Sequence, residues 1–322
     1  MEFKQWKEKL CIIRGGGDIA TGTIYKLFQC GFPLLVLEID NPSCIRRTIS
    51  FCEAVFDKDV EVEGVHARRV DSLEEAYQCY CLGQVPVMVD GEAVMIRQAS
   101  PAVVIDAILA KKNLGTRITD APVVIGVGPG FYAGKDVHAV VETQRGHNLG
   151  RVLYEGEAAP NTGVPGVIAG YGKERVIHAP ASGTLHIEKQ IGEEVAKDDI
   201  IAWVGDVPVK ATISGIIRGM LREGYPAYKG LKMADIDPRI TEKDNCHHIS
   251  DKARCVAGGV LEAILHLQLM QSKQEKSEGQ MKNAKTPEYG GRPEACRQEE
   301  SSKYPGPGSQ PENNRRKGSR DL

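Results

Sequence analysis

The sequence RGGGDIA, at residues 14–20, is the feature that most restricts how this chain can fold. It follows a short apolar run at residues 10–14 and precedes a segment, 19–30, whose apolar residues recur at helical spacing. Gly31 ends that segment, and a near-continuous apolar run at 33–39 comes next, as expected of a parallel strand covered on both faces. Strand, glycine turn, helix and strand within about 30 residues predict a βαβ unit.

Further apolar runs extend this unit into a larger sheet. The segments PVMVD, AVVIDAIL and APVVIGV begin at residues 86, 102 and 121 and are predicted as additional strands. We therefore expect an α/β fold, in which residues 1–172 form a Rossmann-like parallel-sheet body that carries two glycine-rich loops.

The segment 173–240 is predicted to be a separate β module. It contains an internal repeat in which residues 179–202 align with 211–234, and the shared glycines fall where turns are expected. Glycine at a turn indicates positive φ. The segment is similar to the lipoyl/biotinyl barrel-sandwich fold, but Gly205 and Asp206 occupy the hairpin tip where that fold carries its modified lysine. Lys210 lies well down the next strand, so we expect a docking or lid module with no swinging arm.

The C-terminal part divides into a helix and a tail. Residues 241–271 are predicted to contain an amphipathic helix that starts at Ser250 and Asp251. Gly258 and Gly259 in its middle indicate that another segment approaches that face closely, either a packed strand or a ligand. Residues 272–322 are predicted to be a disordered polar tail, because only seven of their 51 residues are apolar and 19 are charged.

Charge and cysteine content narrow the classes of partner. The chain has 41 basic and 43 acidic residues and a formal net charge of −2, so no net field favours nucleic acid or an anionic membrane. No window contains the roughly 18 consecutive apolar residues of a membrane span, and we expect a cytoplasmic location. Nine scattered cysteines indicate reduced thiols rather than a disulfide framework.

The first glycine loop has the GxGxxG/A spacing of dinucleotide-binding turns. Such a turn lets the backbone approach a pyrophosphate, and the helix that follows offers unpaired N–H groups to an anion. Glu38, near the end of the second strand, is placed to bond a ribose hydroxyl. The alternative is a tight turn retained for packing. The candidate ligand-binding residues of this loop are Gly15, Gly16, Gly17, Asp18 and Ala20.

Asp18 opposes a phosphate in this loop, because its carboxylate would repel the ligand. The repulsion is avoided if the side chain points outward or pairs with Arg14.

A second glycine loop, GVGPGFYAG, follows the predicted strand APVVI, and its candidate residues are Gly126, Gly128 and Gly130. Consecutive N–H groups in such a loop can form an anion nest, and the alternative is a tight crossover near the sheet centre. Four basic side chains near the loops are candidate ligand contacts or, alternatively, surface ion-pair partners. These are Arg46, Arg47, Arg145 and His147.

Metal and nucleophile signals are weak. The sequences CYC, at 79–81, and NCHH, at 245–248, have no regular zinc spacing. Cys44 could have a lowered thiol pKa if it lies near the adjacent arginines, or it could be a buried, incidental cysteine.

The order of several long motifs resembles one known family. The motifs are RGGGDIATG, IRRTISFCEAV, IGVGPGFYAGKDVHAVVETQRGHNLGRV, NTGVPG, LKMADIDPR and SDKARCVAGGVLEAIL, and they span residues 8–271. Together they resemble the accessory-protein family of the selenium-dependent molybdenum hydroxylase system, the YqeB type. That family is similar in its glycine-rich part to the XdhC-like maturation factors of xanthine dehydrogenase.

The resemblance implies an accessory or maturation protein. Such a protein would bind or hand over the molybdenum cofactor, as molybdopterin or its dinucleotide, or assist its selenium-bearing form. The implied partner is a selenium-dependent molybdenum hydroxylase that acts on purines or xanthine. Two alternatives remain open, an NAD(P)-binding oxidoreductase and a nucleotide-sensing regulatory module. Because no proton-transfer pair stands out at a recognisable spacing, the sequence leaves open whether the protein is an enzyme.

Overall fold

The structure, a computed structural model, describes residues 1–163 and 166–284. Residues 1–275 form one compact unit, and a second unit begins at Lys276. The prediction of a disordered tail for 285–322 lies outside the described residues. The last helix, however, continues to Ala284, past the predicted boundary at 271. Residues 272–284 are rich in Gln, Glu and Lys, which have high helix propensity, so a helix can continue there without a buried face.

The first part of the chain alternates strands with helices, as the sequence predicts. Its helices are α1 (Phe3–Glu8), α2 (Asp18–Gln29), α3 (Ala54–Asp57), α4 (Leu73–Cys81) and α5 (Val94–Ala99). Its strands are β1 (Cys11–Arg14), β2 (Leu34–Glu38), β3 (Asp59–Val62), β4 (Val65–Val70), β5 (Val85–Val89), β6 (Val103–Asp106), β7 (Val123–Val127), β8 (Tyr132–Ala133), β9 (Ala139–Val141), β10 (Val152–Leu153) and β11 (Gly156–Glu157). Short 3-10 helices span Arg47–Ile49, Phe51–Glu53 and Ile118–Asp120.

Nine of these strands form one sheet in the order β10-β9-β7-β6-β1-β2-β5-β4-β3. The strands from β9 to β4 are parallel to their neighbours, and β10 and β3 are antiparallel edges. Counted along the chain, β1, β2, β5, β6 and β7 lie in the order 3-2-1-4-5, as in one type of doubly wound sheet. The name Rossmann-like remains a prediction. Because β1, β2, β6 and β7 are parallel, their carboxyl ends lie at the same edge of the sheet.

Both faces of the sheet are covered, which explains why its strands are apolar throughout. One face packs against α2, the segment around Phe51 and the final helix, and the other packs against α1, α4 and α5. The side chains that define the two cores include Ile24 and Val260 on the first face and Trp6 and Ile96 on the second.

The segment after the body builds two four-stranded antiparallel sheets, ordered β12-β19-β17-β14 and β16-β15-β13-β18. Their strands are β12 (Val176–His178), β13 (Gly183–Ile187), β14 (Glu194–Val195), β15 (Ile200–Val204), β16 (Val207–Lys210), β17 (Gly215–Met220), β18 (Pro226–Ala227) and β19 (Lys232–Asp237). We call this segment, 173–240, the β module. Short 3-10 helices flank it at Lys173–Arg175 and Ile240–His247.

The internal repeat is confirmed by the strand positions. Strands β17, β18 and β19 each begin 32 residues after β13, β14 and β15. The matched glycines share their conformation, with φ of 157° at Gly183 and 156° at Gly215. The turn between β15 and β16 contains Gly205 and Asp206. Side chains from both sheets share one core, and the likeness to the lipoyl/biotinyl fold remains a prediction.

Helix α6 (Asp251–Ala284) returns the chain to the body. The predicted N-cap is confirmed, because the Ser250 hydroxyl accepts a hydrogen bond from the Ala253 amide at 3.2 Å. By length and composition alone, the stretch Ile240–Ser277 could also cross a membrane. Its residues Val256, Val260 and Ile264 are buried against the sheet, and core helices pass the same test.

Candidate functional site

A cavity of about 630 Å³ lies between the amino end of α2, the segment after β2, the β module and the start of α6. Seven basic and four acidic side chains line it, so the lining has an excess of positive charge. The basic residues are Arg46, Arg145, Arg175, Arg218, Lys232, Arg239 and Lys252. The acidic residues are Asp18, Asp235, Asp237 and Asp251. This volume is typical of small-molecule sites.

Strand β19 supplies two of these carboxylates, and arginines of the cavity pair with both. Arg175 donates to Asp235 at 3.0 and 3.2 Å, and the Arg218 Nε atom donates to Asp235 at 2.7 Å. Arg239 donates to Asp237 at 2.8 Å. Burial acts to raise the pKa of Asp237, but its hydrogen bonds with Arg239 outweigh that effect and the pKa is lowered. Both carboxylates are therefore already neutralised by arginines.

The other two carboxylates are also paired. Arg145 forms a two-point ion pair with Asp251 at 2.8 and 2.9 Å, and this contact lowers the pKa of Asp251 to about 2. Asp18 lies 3.8 Å from the Arg46 guanidinium.

Three cations of the cavity have hydrogen-bond donors that no described residue uses. The side-chain ammonium groups of Lys232 and Lys252 make no hydrogen bond or ion pair within residues 1–163 and 166–284, and burial lowers the pKa of both side chains. Arg46 is 5% exposed and donates from one terminal nitrogen to the carbonyls of Asn245 (2.7 Å) and His248 (3.2 Å). Its buried Nε atom has no partner in the described part of the chain. Asp18 is the carboxylate near Arg46, but the lining as a whole has three more cations than carboxylates, so it favours an anionic ligand.

The first glycine loop uses its N–H groups internally. The Gly15 amide donates to the Leu37 carbonyl at 2.8 Å, and the Gly16 amide donates to the Glu38 carboxylate at 2.8 Å. A Cβ at Gly15, where φ is 92°, would lie 3.1 Å from the Ala107 carbonyl oxygen. A Cβ at Gly16 would lie 2.9 Å from the Cys52 amide nitrogen. These contacts agree with the packing alternative for both residues, and phosphate binding by the loop remains a prediction.

The other predicted residues of this loop separate into two groups. Ala20 is fully buried in the body core, whereas Gly17 is the N-cap of α2 and Asp18 lines the cavity. The Asp18 carboxylate lies near Arg46 and not near Arg14, because Arg14 binds Asp106 and the Thr116 hydroxyl. Of the two arrangements that would keep Asp18 from repelling a phosphate, pairing with Arg14 is therefore not formed. The buried Asp18 Oδ1 atom has no partner among the described residues.

Glu38 lies beside the glycine turn and does not line the cavity. Its two carboxylate oxygens accept hydrogen bonds from the Gly16 and Ile39 amides, at 2.8 and 2.9 Å. Burial raises the pKa of Glu38, and the two amides partly offset that rise. The structure gives this side chain a role in closing the turn, and its bond to a ribose remains a prediction.

The second glycine loop packs against its own surroundings. A Cβ at Gly126 would lie 2.5 Å from the Phe131 ring, and a Cβ at Gly130 would lie 2.7 Å from the Lys112 backbone. A Cβ at Gly128, where φ is 81°, would lie similarly close to the Thr143 hydroxyl. None of the three glycines lines the cavity. The structure therefore does not bring the two loops together at this site.

Two of the four predicted basic residues line the cavity and two do not. Arg46 and Arg145 line the cavity. Arg47 does not, because its Nε atom donates to the Met220 carbonyl at 2.8 Å, and burial lowers its pKa. His147 is exposed and lies outside the lining.

Most of the cavity cations lie in the β module or at the start of α6, where the sequence analysis placed no candidates. The sequence of β19, KMADID, does contain a signal for this site. Two acidic residues inside an apolar strand indicate buried, paired carboxylates. The sequence alone could not show that this strand faces α2, more than 200 residues away.

A second cavity, of about 710 Å³, lies among the loops after β5, β6 and β7. Its lining includes Arg14 and Arg117, which are paired with Asp106 and Asp120. Since its charges are closer to balance, it is a weaker anion site than the first cavity. Among the described residues, no group of three or more histidine, cysteine or acidic side chains is placed to hold a metal ion.

Comparison with known proteins finds one curated relative at high similarity. The chain is 49% identical to "Uncharacterized protein YqeB" of Escherichia coli strain K12 over 259 residues. This match covers 80% of the chain and 48% of the relative, so the chain spans about half the length of the curated protein that it matches. No family model matches the chain.

Solved structures give only remote likenesses. An aspartoacylase family protein from Mesorhizobium loti is 10% identical, with a TM-score of 0.26 over 72% of this chain and 86% of that one. The ectoine utilization protein EutE from Ruegeria pomeroyi is 12% identical, with a TM-score of 0.23 over 71% of this chain and 85% of that one. TM-scores this low carry no argument about fold or activity. What the comparisons establish is similarity to YqeB over 259 residues of this chain.

Proposed function

We propose that this protein is an accessory factor that binds the molybdenum cofactor and hands it over, or assists its selenium-bearing form. The recipient is a selenium-dependent molybdenum hydroxylase of the purine or xanthine type. The pathway is what the resemblance of the sequence motifs to the accessory-protein family implies, and the 49% identity to the uncharacterized YqeB agrees with the name of that family without adding a function. The cavity beside α2 supports the class of ligand.

The observation that carries the proposal is the unused positive charge of the cavity. Lys232, Lys252 and the Arg46 Nε atom each have a hydrogen-bond donor that no described residue uses. The carboxylates near them, Asp18 above all, are shared among several cations, so the lining keeps an excess of positive charge. The dinucleotide form of molybdopterin carries a pyrophosphate, whose charges match these groups. The amino end of α2, at Asp18, adds the partial positive charge of a twelve-residue helix.

The lining also gives each side chain a distinct task in holding such a ligand. The two lysines act as mobile point charges on a phosphate, whereas Arg46 is fixed by two backbone carbonyls and offers its Nε–H at a set position. Asp18 repels phosphate at one end of the cavity and thereby restricts the orientations that the ligand can take.

The experiment that tests this function is retention of cofactor by the purified full chain. The protein is expressed in a host that makes molybdopterin, and bound pterin is released, oxidised and measured by its fluorescence after chromatography. We expect pterin in the wild-type protein and about tenfold less or lower in a Lys232→Met/Lys252→Met double variant, because two charge-assisted contacts are lost. The matched control is Lys197→Met/Lys210→Met, which removes two exposed lysines of the β module that do not line the cavity.

Wild-type protein that contains no pterin would contradict the proposal. Equal pterin content in both double variants would contradict the placement of the ligand in this cavity. Mass spectrometry of the same samples detects NAD(P), which tests the oxidoreductase and nucleotide-sensing alternatives. Because NAD(P) also carries a pyrophosphate, the charge of the cavity does not separate these alternatives, and the mass spectrum decides between them. The Gly15 and Gly16 amides, which a dinucleotide-binding turn would offer, already have acceptors.

A further inference from the structure

Two cysteines lie against the first glycine turn. The Cys52 amide donates to the Gly16 carbonyl at 2.9 Å, and a Cβ built on Gly16 would lie 3.4 Å from the Cys52 Cβ atom. A Cβ built on Gly17 would lie 3.8 Å from the Cys44 sulfur. The two glycines therefore let both cysteines approach the amino end of α2, where thiolates are stabilised.

The Cys44 sulfur is surrounded by hydrogen-bond donors. The Cys52 thiol donates to it, the Ser50 hydroxyl oxygen lies 3.0 Å away, and the Asp18 backbone amide also donates to it. The hydrogen bond from Cys52 is the largest cause that lowers the pKa of Cys44, and it outweighs the opposing effect of burial. The Ser50 hydroxyl has one hydrogen, which it can give either to this sulfur or to the Arg46 carbonyl at 2.8 Å.

The charged groups around the pair come from several elements. Arg47 faces Cys44 and favours its thiolate, whereas the Asp18 carboxylate opposes it. Cys52 donates its hydrogen to Cys44 and is buried near Glu38 and Glu53, so its own pKa is raised well above the ordinary value. The arrangement thus favours the thiolate form at Cys44 and the thiol form at Cys52.

We propose that Cys44 and Cys52 form a redox-active cysteine pair that exchanges with external disulfides. This site is separate from the cofactor-binding role and does not depend on it. The Cys44 thiolate attacks one sulfur of a disulfide RSSR, which gives a mixed disulfide at Cys44 and releases one thiolate RS⁻. Cys52 then loses its proton to solvent and attacks the Cys44 sulfur, which releases the second RS⁻ and leaves a Cys44–Cys52 disulfide. The external disulfide is the oxidant and is reduced to two thiols.

Burial sets the order of these steps. Cys44 is half-buried, beside the exposed Ser43, whereas Cys52 is fully buried. An external reagent therefore reaches Cys44 first, and Cys52 acts only on the mixed disulfide.

The proposal is tested on the wild-type full chain with oxidised glutathione as the probe. After treatment, remaining thiols are blocked and the disulfides are located by peptide mass spectrometry. We expect a Cys44–Cys52 disulfide as the main product, while the exposed Cys30 serves as the internal reference for simple glutathione addition. Glutathione addition at Cys30 without a Cys44–Cys52 disulfide would overturn the proposal.

Two variants separate the roles of the pair. In Cys52→Ala the reaction should stop at a glutathione adduct on Cys44, and the pH midpoint of Cys44 alkylation by iodoacetamide should move upward, because the main hydrogen-bond donor is lost. A Cys30→Ser control should leave both the product and the midpoint unchanged. An unchanged midpoint in folded Cys52→Ala, checked by circular dichroism, would overturn the assigned roles.

Discussion

At the scale of single residues, the spacing between the glycine turn and Glu38 fits two roles, binding a ribose or closing the turn itself. An acidic residue about 20 positions after a glycine turn is typical of ribose binding. Here both its oxygens accept backbone hydrogen bonds, one of them from the turn itself. The carboxylate thus satisfies a buried amide of Gly16 that would otherwise need a ligand or water.

This role gives a prediction for Glu38→Gln and Glu38→Ala. Glutamine keeps an acceptor for the Gly16 amide and carries no charge, whereas alanine leaves a buried amide unsatisfied and should cost about 1–3 kcal/mol of unfolding free energy. Because burial raises the folded-state pKa of Glu38, the wild-type unfolding free energy should fall as pH rises from the ordinary value of 4.5 through the folded value. Urea unfolding as a function of pH measures both effects.

In Glu38→Gln the decrease with pH should be smaller, and at pH 7 the variant should be less destabilised than Glu38→Ala, because one acceptor oxygen remains for the Gly16 amide. A glutamine variant as unstable at pH 7 as the alanine variant would contradict this account of Glu38.

The limits of sequence reasoning at this scale follow from the same residues. The GxGxxG/A spacing is identical whether the turn accepts a phosphate or packs against Cys52 and Ala107, so spacing alone could not decide between them. Arg46 and Arg145 were identified because they follow strands near the loops. Lys232 and Lys252 were not, since their positions depend on contacts between distant parts of the chain.

At the scale of elements, α6 shows a prediction that the structure refines. The paired glycines indicate a close approach, and this is confirmed at Gly259, whose Cβ would collide with the Gly150 carbonyl and lie 2.9 Å from the Val141 side chain. Gly258 faces open space, with no atom within 4 Å of a built Cβ.

Periodic patterns predicted α2, the central strands and the repeat well, because each depends on local sequence. The charged segment up to Ala284 was missed, because composition does not distinguish an exposed helix from a coil.

The two adjacent glycines make a matched pair of substitutions. Gly258→Ala should stabilise the protein by about 0.5–1 kcal/mol, because alanine favours the helix and meets nothing. Gly259→Ala should destabilise it by about 1–3 kcal/mol, because the added methyl forces α6 away from Gly150 and β9. Chemical denaturation of both variants measures the two changes. Effects of the same sign would show that helix propensity, rather than this contact, dominates at both positions.

At the scale of the whole molecule, the β module and the body are joined by buried polar contacts. The Met220 amide donates to the Ile45 carbonyl at 2.7 Å, and Arg222 donates to Glu53 at 2.8 Å. A Cβ on Gly219 would lie 2.9 Å from the same Ile45 oxygen, so the two backbones are in close contact. These contacts hold the cavity walls together even without a ligand.

Such contacts predict that body and module unfold together. The chain has two tryptophans, Trp6 buried in the body and Trp203 in β15 of the module. In Trp6→Phe the fluorescence reports on the module, and in Trp203→Phe it reports on the body. In each variant, the urea unfolding transition measured by fluorescence should have the same midpoint as the transition measured by far-ultraviolet circular dichroism. Two separated transitions in either variant would show that the module unfolds independently.

The return of α6 to the body also affects how the chain folds during synthesis. The core on one face of the large sheet contains Val256, Val260 and Ile264 beside Ile13 and Val36 from the first strands. A ribosome therefore completes the whole β module before it releases the residues that close this core. Until translation has passed residue 264, the part of this face that α2 and the Phe51 segment do not cover stays open to water and chaperones.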